Sequence, residues 1–209
     1  AASKVSGSSI PTFTNCLFEN NIASGLGGAV LSMSDGDFNG APLSIPIFEH
    51  CTFYNNNAQS IRAGYSHALQ GGGSTVHFVK CILWGDYPGN YLGVANFSAI
   101  RLENSLTKGG CNTNVTCVGT ILNTDPLFVN AAGGDLRLAA GSPAIDGPGG
   151  EYYTSTPTEK DYDGNNRPIG CYDYGAFEAA TSTATVVTCY QDMDHDGYGV
   201  PGVTKQFCT

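Results

Sequence analysis

Three segments of the chain read alike: Phe-Thr-Asn-Cys-Leu-Phe-Glu-Asn-Asn at 13–21, Phe-Glu-His-Cys-Thr-Phe-Tyr-Asn-Asn at 48–56, and Phe-Val-Lys-Cys-Ile-Leu-Trp-Gly-Asp at 78–86. A weaker copy, Leu-Glu-Asn-Ser-Leu-Thr, starts at Leu102 and puts Ser105 at the cysteine position. The repeated position therefore falls at Cys16, Cys51, Cys81 and Ser105, at steps of 35, 30 and 24 residues. Each unit holds short runs of β-branched and aromatic residues between Gly, Asn and Ser, and the Gly-rich pieces Gly25–Gly28 and Gly71–Gly73 lie beside these runs. No segment sustains the i, i+3, i+4, i+7 spacing that helical repeats require. The units predict coils of a parallel β-solenoid, whose loops vary in length without disturbing the stack.

Stacked coils place like residues above like at the strand spacing of ~4.8 Å. Cys16, Cys51, Cys81 and Ser105 are then one ladder of small side chains; Phe18, Phe53 and Leu83 are a second. Asn20, Asn21, Asn55 and Asn56 sit where the chain turns and suit an amide ladder. The cysteines read as stacked core residues rather than metal ligands, because cysteine is among the most buried residue types.

The composition agrees. The chain has 209 residues, of which 41% are hydrophobic and 13% charged, enough apolar material for a core. Glycine, at 28 residues, is nearly twice its usual share of about 7%, which argues against long helices. With 9 basic against 18 acidic side chains the formal charge is −9, which disfavours nucleic-acid binding. No apolar run approaches the ~20 residues of a membrane-spanning helix, and no signal peptide opens the sequence. Eight cysteines without close-spaced zinc pairs or a Cys-x-x-Cys point to a secreted, extracellular setting, and the sequons at Asn96 and Asn114 are short motifs that arise often by chance.

The repeated Phe-x-Asn-Cys-x-Phe-x-Asn-Asn pattern resembles the coils of right-handed parallel β-helix repeat proteins, including those of bacterial polymorphic outer-membrane proteins. Asp125–Gly149 and Asp161–Glu178 are similar to the choice-of-anchor Q domain of secreted bacterial proteins. One departure is Cys171, which stands in an Ile-Gly-Cys-Tyr stretch before Asp-Tyr-Gly-Ala-Phe-Glu. The resemblance implies an all-β chain: β-helix coils over 1–124, an irregular C-terminal cap over 125–180, and a small Asp-rich calcium-loop tail over 181–209. Leu127, Phe128, Leu136, Leu138 and Ile145 supply the apolar anchors of the cap. The small, polar Ala1–Gly7 offers no matching N-terminal cap. The expected partner at the N-terminal coil is the remainder of a longer chain or a neighbouring subunit.

In the tail, Asp192, Asp194 and Asp196 occupy positions 1, 3 and 5 of a loop with Gly197 at 6 and the Tyr198 carbonyl at 7. Alternate carboxylates suit a hard cation, so Ca2+ is the expected ligand of Asp192, Asp194, Asp196 and Tyr198. Val203 stands where an EF-hand has its bidentate Glu; the loop resembles instead the calcium repeats of thrombospondin type 3 modules and of large bacterial surface proteins. Cys189 and Cys208 bracket the loop and can staple it; Cys111 and Cys117 can close a small loop. Spacing alone does not fix the connectivity. The chain's stop just after Cys208 leads to the expectation of further such repeats.

Three functions compete. The first is a non-catalytic structural or adhesive segment of a secreted bacterial cell-surface protein, an adhesin stiffened by calcium, with surface polysaccharide or secretion machinery as possible partners and, by resemblance, a type IX export route. The second is a polysaccharide lyase or hydrolase fragment. The coil carboxylates Glu19, Glu49, Asp86 and Glu103 and the loop pair Asp35 and Asp37 show no catalytic spacing, and His50, His67, His77 and His195 read as surface histidines. The enzyme reading is therefore open but disfavoured. The third is a carbohydrate-binding module using Tyr54, Trp84, Tyr87 and Tyr91 as stacking platforms.

Overall fold

A computed structural model describes residues 9–22, 26–34, 44–56, 59–65, 75–85, 92–94, 99–111, 113, 115–150, 159–190 and 204–209. The first coil is β1 (Thr12–Thr14), β2 (Leu17–Glu19) and β3 (Leu26–Ser34). The second is β4 (Ile47–Glu49), β5 (Thr52–Tyr54) and β6 (Gln59–Tyr65), and the third is β7 (Thr75–Val79), β8 (Ile82–Trp84) and β9 (Leu92–Val94). Single long strands β10 (Ala99–Thr107) and β11 (Val115–Leu122) form a fourth and a fifth layer. All ladders between layers are parallel: β1–β4–β7–β10 on one face, β2–β5–β8–β10 on the next, β3–β6–β9 on the third. This is the expected all-β parallel solenoid.

The register follows the repeat. Phe13, Phe48, Phe78 and Leu102 stack on the first face, and Phe18, Phe53 and Leu83 on the second. Ring centroids are 4.9 Å apart for Phe13 and Phe48, 5.2 Å for Phe48 and Phe78, and 4.6 Å for Phe18 and Phe53. The two ladders meet edge-to-face, as Phe48 does with Phe53 at 5.4 Å. Such pairs add ~0.5–1.5 kcal/mol each beyond burial.

The cysteine ladder is core. The Cys51 thiol donates to the Phe13 and Glu49 carbonyls, and Cys81 to those of Phe48 and Val79. Ser105 continues the ladder by donating to the Glu103 carbonyl and accepting from the Cys81 N–H. Hydrogen bonding to Cys81 and burial push the Cys51 thiol far up, so it stays protonated. The asparagine ladder also forms: Asn55 Nδ2 donates to Asn20 Oδ1 at 2.7 Å and Asn21 Nδ2 to Asn56 Oδ1 at 2.8 Å.

The residue before each ladder cysteine or serine turns the corner in the left-handed region: Asn15 (φ 53°), His50 (50°), Lys80 (51°) and Asn104 (43°). This conformation costs non-glycine residues ~1–2 kcal/mol. Interlayer bonds hold it, from Asn15 N–H to the Glu49 carbonyl, His50 to Val79 and Lys80 to Glu103. The corner therefore presents a column of polar side chains.

The second face is buried on both sides. Its inward residues are Phe18, Phe53 and Leu83. Its other side carries Leu17, Tyr54, Ile82, Trp84, Leu106 and Leu122, which the C-terminal segment covers. That segment contains the antiparallel pairs β12 (Phe128–Asn130) with β13 (Asp135–Leu138) and β14 (Glu159–Lys160) with β15 (Asn166–Arg167). Buried Tyr174 packs with Ile82, Leu106 and Ala144, and Leu136, Ala176 and Phe177 pack with Leu17 and Tyr54. The described contacts of the C-terminal segment thus run along the flank of all five layers. Gly175 makes the approach possible: at φ 91°, a Cβ there would lie 2.6 Å from Thr52 Oγ1.

The tail forms an antiparallel pair, β16 (Val186–Tyr190) with β17 (Thr204–Cys208). Cys111–Cys117 is a disulfide as expected. Cys208 instead bonds Cys171, leaving Cys189 free and exposed, so the staple across the acidic loop is corrected. The reason is register: Cys189 pairs with Lys205, while Cys208 pairs with Val186 and turns inward against the C-terminal segment.

Candidate functional site

The corner column forms one wall of a groove of about 500 Å³. Thr14, Asn15, Glu49, His50, Val79 and Lys80 line this wall, contributed in pairs by three successive coils; Glu159 and Lys160 of β14 line the opposite side with Tyr172. Parallel register aligns Thr14 with Glu49 and Glu49 with Val79, so the groove runs along the stack. The Lys80 ammonium sits 3.9 Å from the centroid of the Tyr172 ring. The His50 ring lies 4.6 Å from the same ring, with Nδ1 3.4 Å from the Asp173 carbonyl. Among the described residues, neither the Glu49 nor the Glu159 carboxylate has a hydrogen-bond or ion-pair partner.

Beside the groove lies a fully buried guanidinium. Arg167 donates from Nε to Glu178 Oε2 at 2.9 Å, from Nη1 to Asn15 Oδ1 at 2.6 Å, and from Nη2 to the Gly175 and Phe177 carbonyls at 2.8 and 3.0 Å. Glu178 also accepts from the Ile169 and Asp173 N–H groups. Asp173 accepts from the N–H groups of Asp146 and Ala179, and Asp161 from those of Asn165 and Glu178. Asp146 accepts from Ser182 Oγ and the Thr183 N–H, which fastens the chain leading to the tail. These buried polar groups fix irregular backbone against the coils, where an unpaired polar group costs ~1–3 kcal/mol.

Their proton affinities follow from this burial. Burial and the adjacent Glu178 carboxylate push Asp173 up to about 8, against the pull of its two N–H donors. Burial raises Glu178 as well, although Arg167 opposes it. Burial, then the Arg167 and Lys80 cations, hold His50 well below its ordinary value, and burial lowers Lys80. Asp173 binds its proton more tightly when folded, so the stability it contributes falls as pH rises from about 4 to 8. His50 acts oppositely: its contribution is complete above about pH 6.5 and lost as pH falls. Between pH 6.5 and 8, unfolding measurements are expected to show stability falling with pH, by at most ~1.4 kcal/mol per unit for one proton. Asp173→Asn is expected to flatten that slope while lowering stability throughout, because its amide nitrogen faces an N–H donor.

The sequence-derived candidates fare differently. Asp192, Asp194, Asp196 and Tyr198 lie outside the described residues, as do Asp35, Asp37, His67, Asp86, Tyr87, Tyr91, Asn96, Asn114 and His195. Among the described residues no three His, Cys, Asp or Glu side chains cluster as a metal site. Glu19 pairs with Tyr54 on one face and Glu49 with Val79 on another, so the two do not stack. His50 is buried, contrary to its reading as a surface residue, because the C-terminal segment covers its corner. Tyr54 and Trp84 are half-buried in packing rather than free platforms: Phe128 packs edge-on against Tyr54 at 5.6 Å, and Trp84 joins the cluster around Tyr174. Sequence reasoning missed Lys80, Glu159, Tyr172 and Arg167. The one signal was a polar residue of changing identity (Asn, His, Lys, Asn) before each ladder position.

The family model of the Chlamydia polymorphic membrane protein repeat matches residues 15–32, which run through β2 into β3. No curated protein and no solved structure matches. The short repeat match and the two disulfides suggest an outer-membrane or surface protein.

Proposed function

We propose that this chain is a non-catalytic structural and adhesive segment of a secreted bacterial surface protein, stiffened by calcium at its tail. The observation that carries the reading is the use of Arg167, Glu178, Asp173, Asp161 and Asp146: each of these buried polar side chains holds backbone of the C-terminal segment. The repeat match supports placement at the cell surface; the type IX export route is part of the proposal and rests only on resemblance. Calcium binding by Asp192, Asp194, Asp196 and the Tyr198 carbonyl is supported by the pairing of Tyr190 with Thr204, which brings together the two ends of residues 191–203. A further coil stacked on the first one, from the same protein or a neighbouring subunit, is supported by Phe13. That ring is 39% exposed, whereas Phe48 and Phe78 below it are 2% and 0% exposed.

The test incubates the protein with acidic and neutral polysaccharides, with and without calcium, and follows polymer size by chromatography. Unchanged polymer is the expected result; shortened polymer overturns the non-catalytic reading in favour of a lyase or hydrolase. In parallel, calcium at about 100 times its Kd is expected to stabilise the protein by ~2.7 kcal/mol. Asp194→Asn is expected to abolish that gain, and an equal melting temperature in calcium and in chelator rejects the calcium proposal.

A further inference from the structure

We propose that the corner groove binds a neutral oligosaccharide, whose hydroxyl groups fit between the Lys80 ammonium and the carboxylates of Glu49 and Glu159. The inference deepens the adhesive reading and rests on it. The groove has the volume of a small-molecule site, which typically falls in the range of ~300–1,000 Å³. Its lining pairs two acids, Glu49 and Glu159, with two ammonium groups, Lys80 and Lys160, so neither a polyanion nor a polycation meets a field of one sign.

Lys80 feels both carboxylates yet makes an ion pair with neither, and both carboxylates lack partners among the described residues. A hydroxyl group completes such an arrangement, because it accepts from the ammonium and donates to a carboxylate at once. Adjacent hydroxyls on a sugar ring repeat that pattern along the groove, where Thr14 adds a further donor and acceptor. A free carboxylate ligand would satisfy Lys80 but be repelled by Glu49 and Glu159. The frame of the groove is set in advance, with the corner backbone fixed by interlayer hydrogen bonds and Tyr172 packed against Lys80 and His50, so binding has to order only the Glu49 and Glu159 side chains.

The test is calorimetric titration of the intact protein with cellohexaose, maltohexaose, laminarihexaose and mannohexaose, and with hexagalacturonate as the acidic comparison. At least one neutral hexasaccharide is expected to bind more tightly than hexagalacturonate. Glu159→Gln, at an exposed position, and Glu49→Gln are each expected to weaken it about tenfold, the scale of one charge-assisted hydrogen bond, without changing the melting temperature. Absence of binding by every neutral hexasaccharide, tighter binding of hexagalacturonate, or affinity unchanged in both variants overturns the proposal. Such a failure leaves the non-catalytic surface reading standing, whereas polymer shortening in the chromatographic assay removes that reading whatever the groove binds.

Discussion

Arg167→Ala is expected to destabilise the protein by about 3–5 kcal/mol, read from denaturant unfolding, and to loosen the C-terminal segment from the coils. The guanidinium is fully buried and makes four hydrogen bonds, to Glu178, Asn15 and the Gly175 and Phe177 carbonyls. Its loss strands the Glu178 carboxylate, itself only 7% exposed, and leaves two carbonyls without donors. Arg167→Lys keeps the charge but not the planar fork, so it is expected to recover only part of the loss. Replacing Arg167 by Met together with Glu178 by Leu removes the stranded charge. It is expected to fall short of the parent stability, because the Ile169 and Asp173 N–H groups then lose their acceptor. An Arg167→Ala loss below ~1 kcal/mol would mean that the buried pair contributes no net fastening.

The second large effect is expected from the disulfide between Cys171 and Cys208. It closes a loop of 37 residues, for which chain entropy predicts ~4 kcal/mol of stabilisation. Cys171→Ser and Cys208→Ser are expected to lose similar amounts, and the double variant no more than either alone. The tail would then be held by the Cys208 bonds to Gly149 and Gly150 and by the Asp146 contacts to Ser182 and Thr183. Cys189→Ser, at an exposed free thiol, is expected to change stability by less than ~0.5 kcal/mol. A large loss in Cys189→Ser with little in Cys171→Ser would reverse the pairing and restore the staple across the acidic loop.

What could be read in the chain was whatever the stacking repeats. Cys16, Cys51, Cys81 and Ser105, the phenylalanine ladders and the asparagine ladder each obey the coil period, so one alignment of sequence fixes their neighbours in space. The fifth layer escaped because β11 carries no Cys-x-Phe signature and follows at a much shorter step, with Ser105 opposite Ile121. The covered flank was legible in principle. Leu17-Phe18, Thr52-Phe53-Tyr54 and Ile82-Leu83-Trp84 do not alternate with charge, which is the mark of parallel strands buried on both faces. Taking Tyr54 and Trp84 as exposed platforms overlooked that mark.

The groove was less accessible, because its walls join the corner column to Glu159 and Tyr172, residues about 80 to 160 positions apart in the chain with no shared period. Cys171 did leave a trace, as the departure from an otherwise familiar string; only the folded register shows that its partner is Cys208. Arg167 carried no local signal, because the atoms that make it structural come from Asn15, Gly175, Phe177 and Glu178.

The most direct test of the central claim, that the C-terminal segment and the coils form one structural unit fastened by buried charge, is native-state hydrogen exchange resolved by residue. The account predicts that the amides of Ile169, Asp173, Tyr174, Gly175, Ala176 and Glu178 share the protection of Phe48, Phe53 and Phe78 in the coils, and that Arg167→Ala removes it from the first group alone. Rapid exchange of the first group in the parent protein, with the coils still protected, would contradict it.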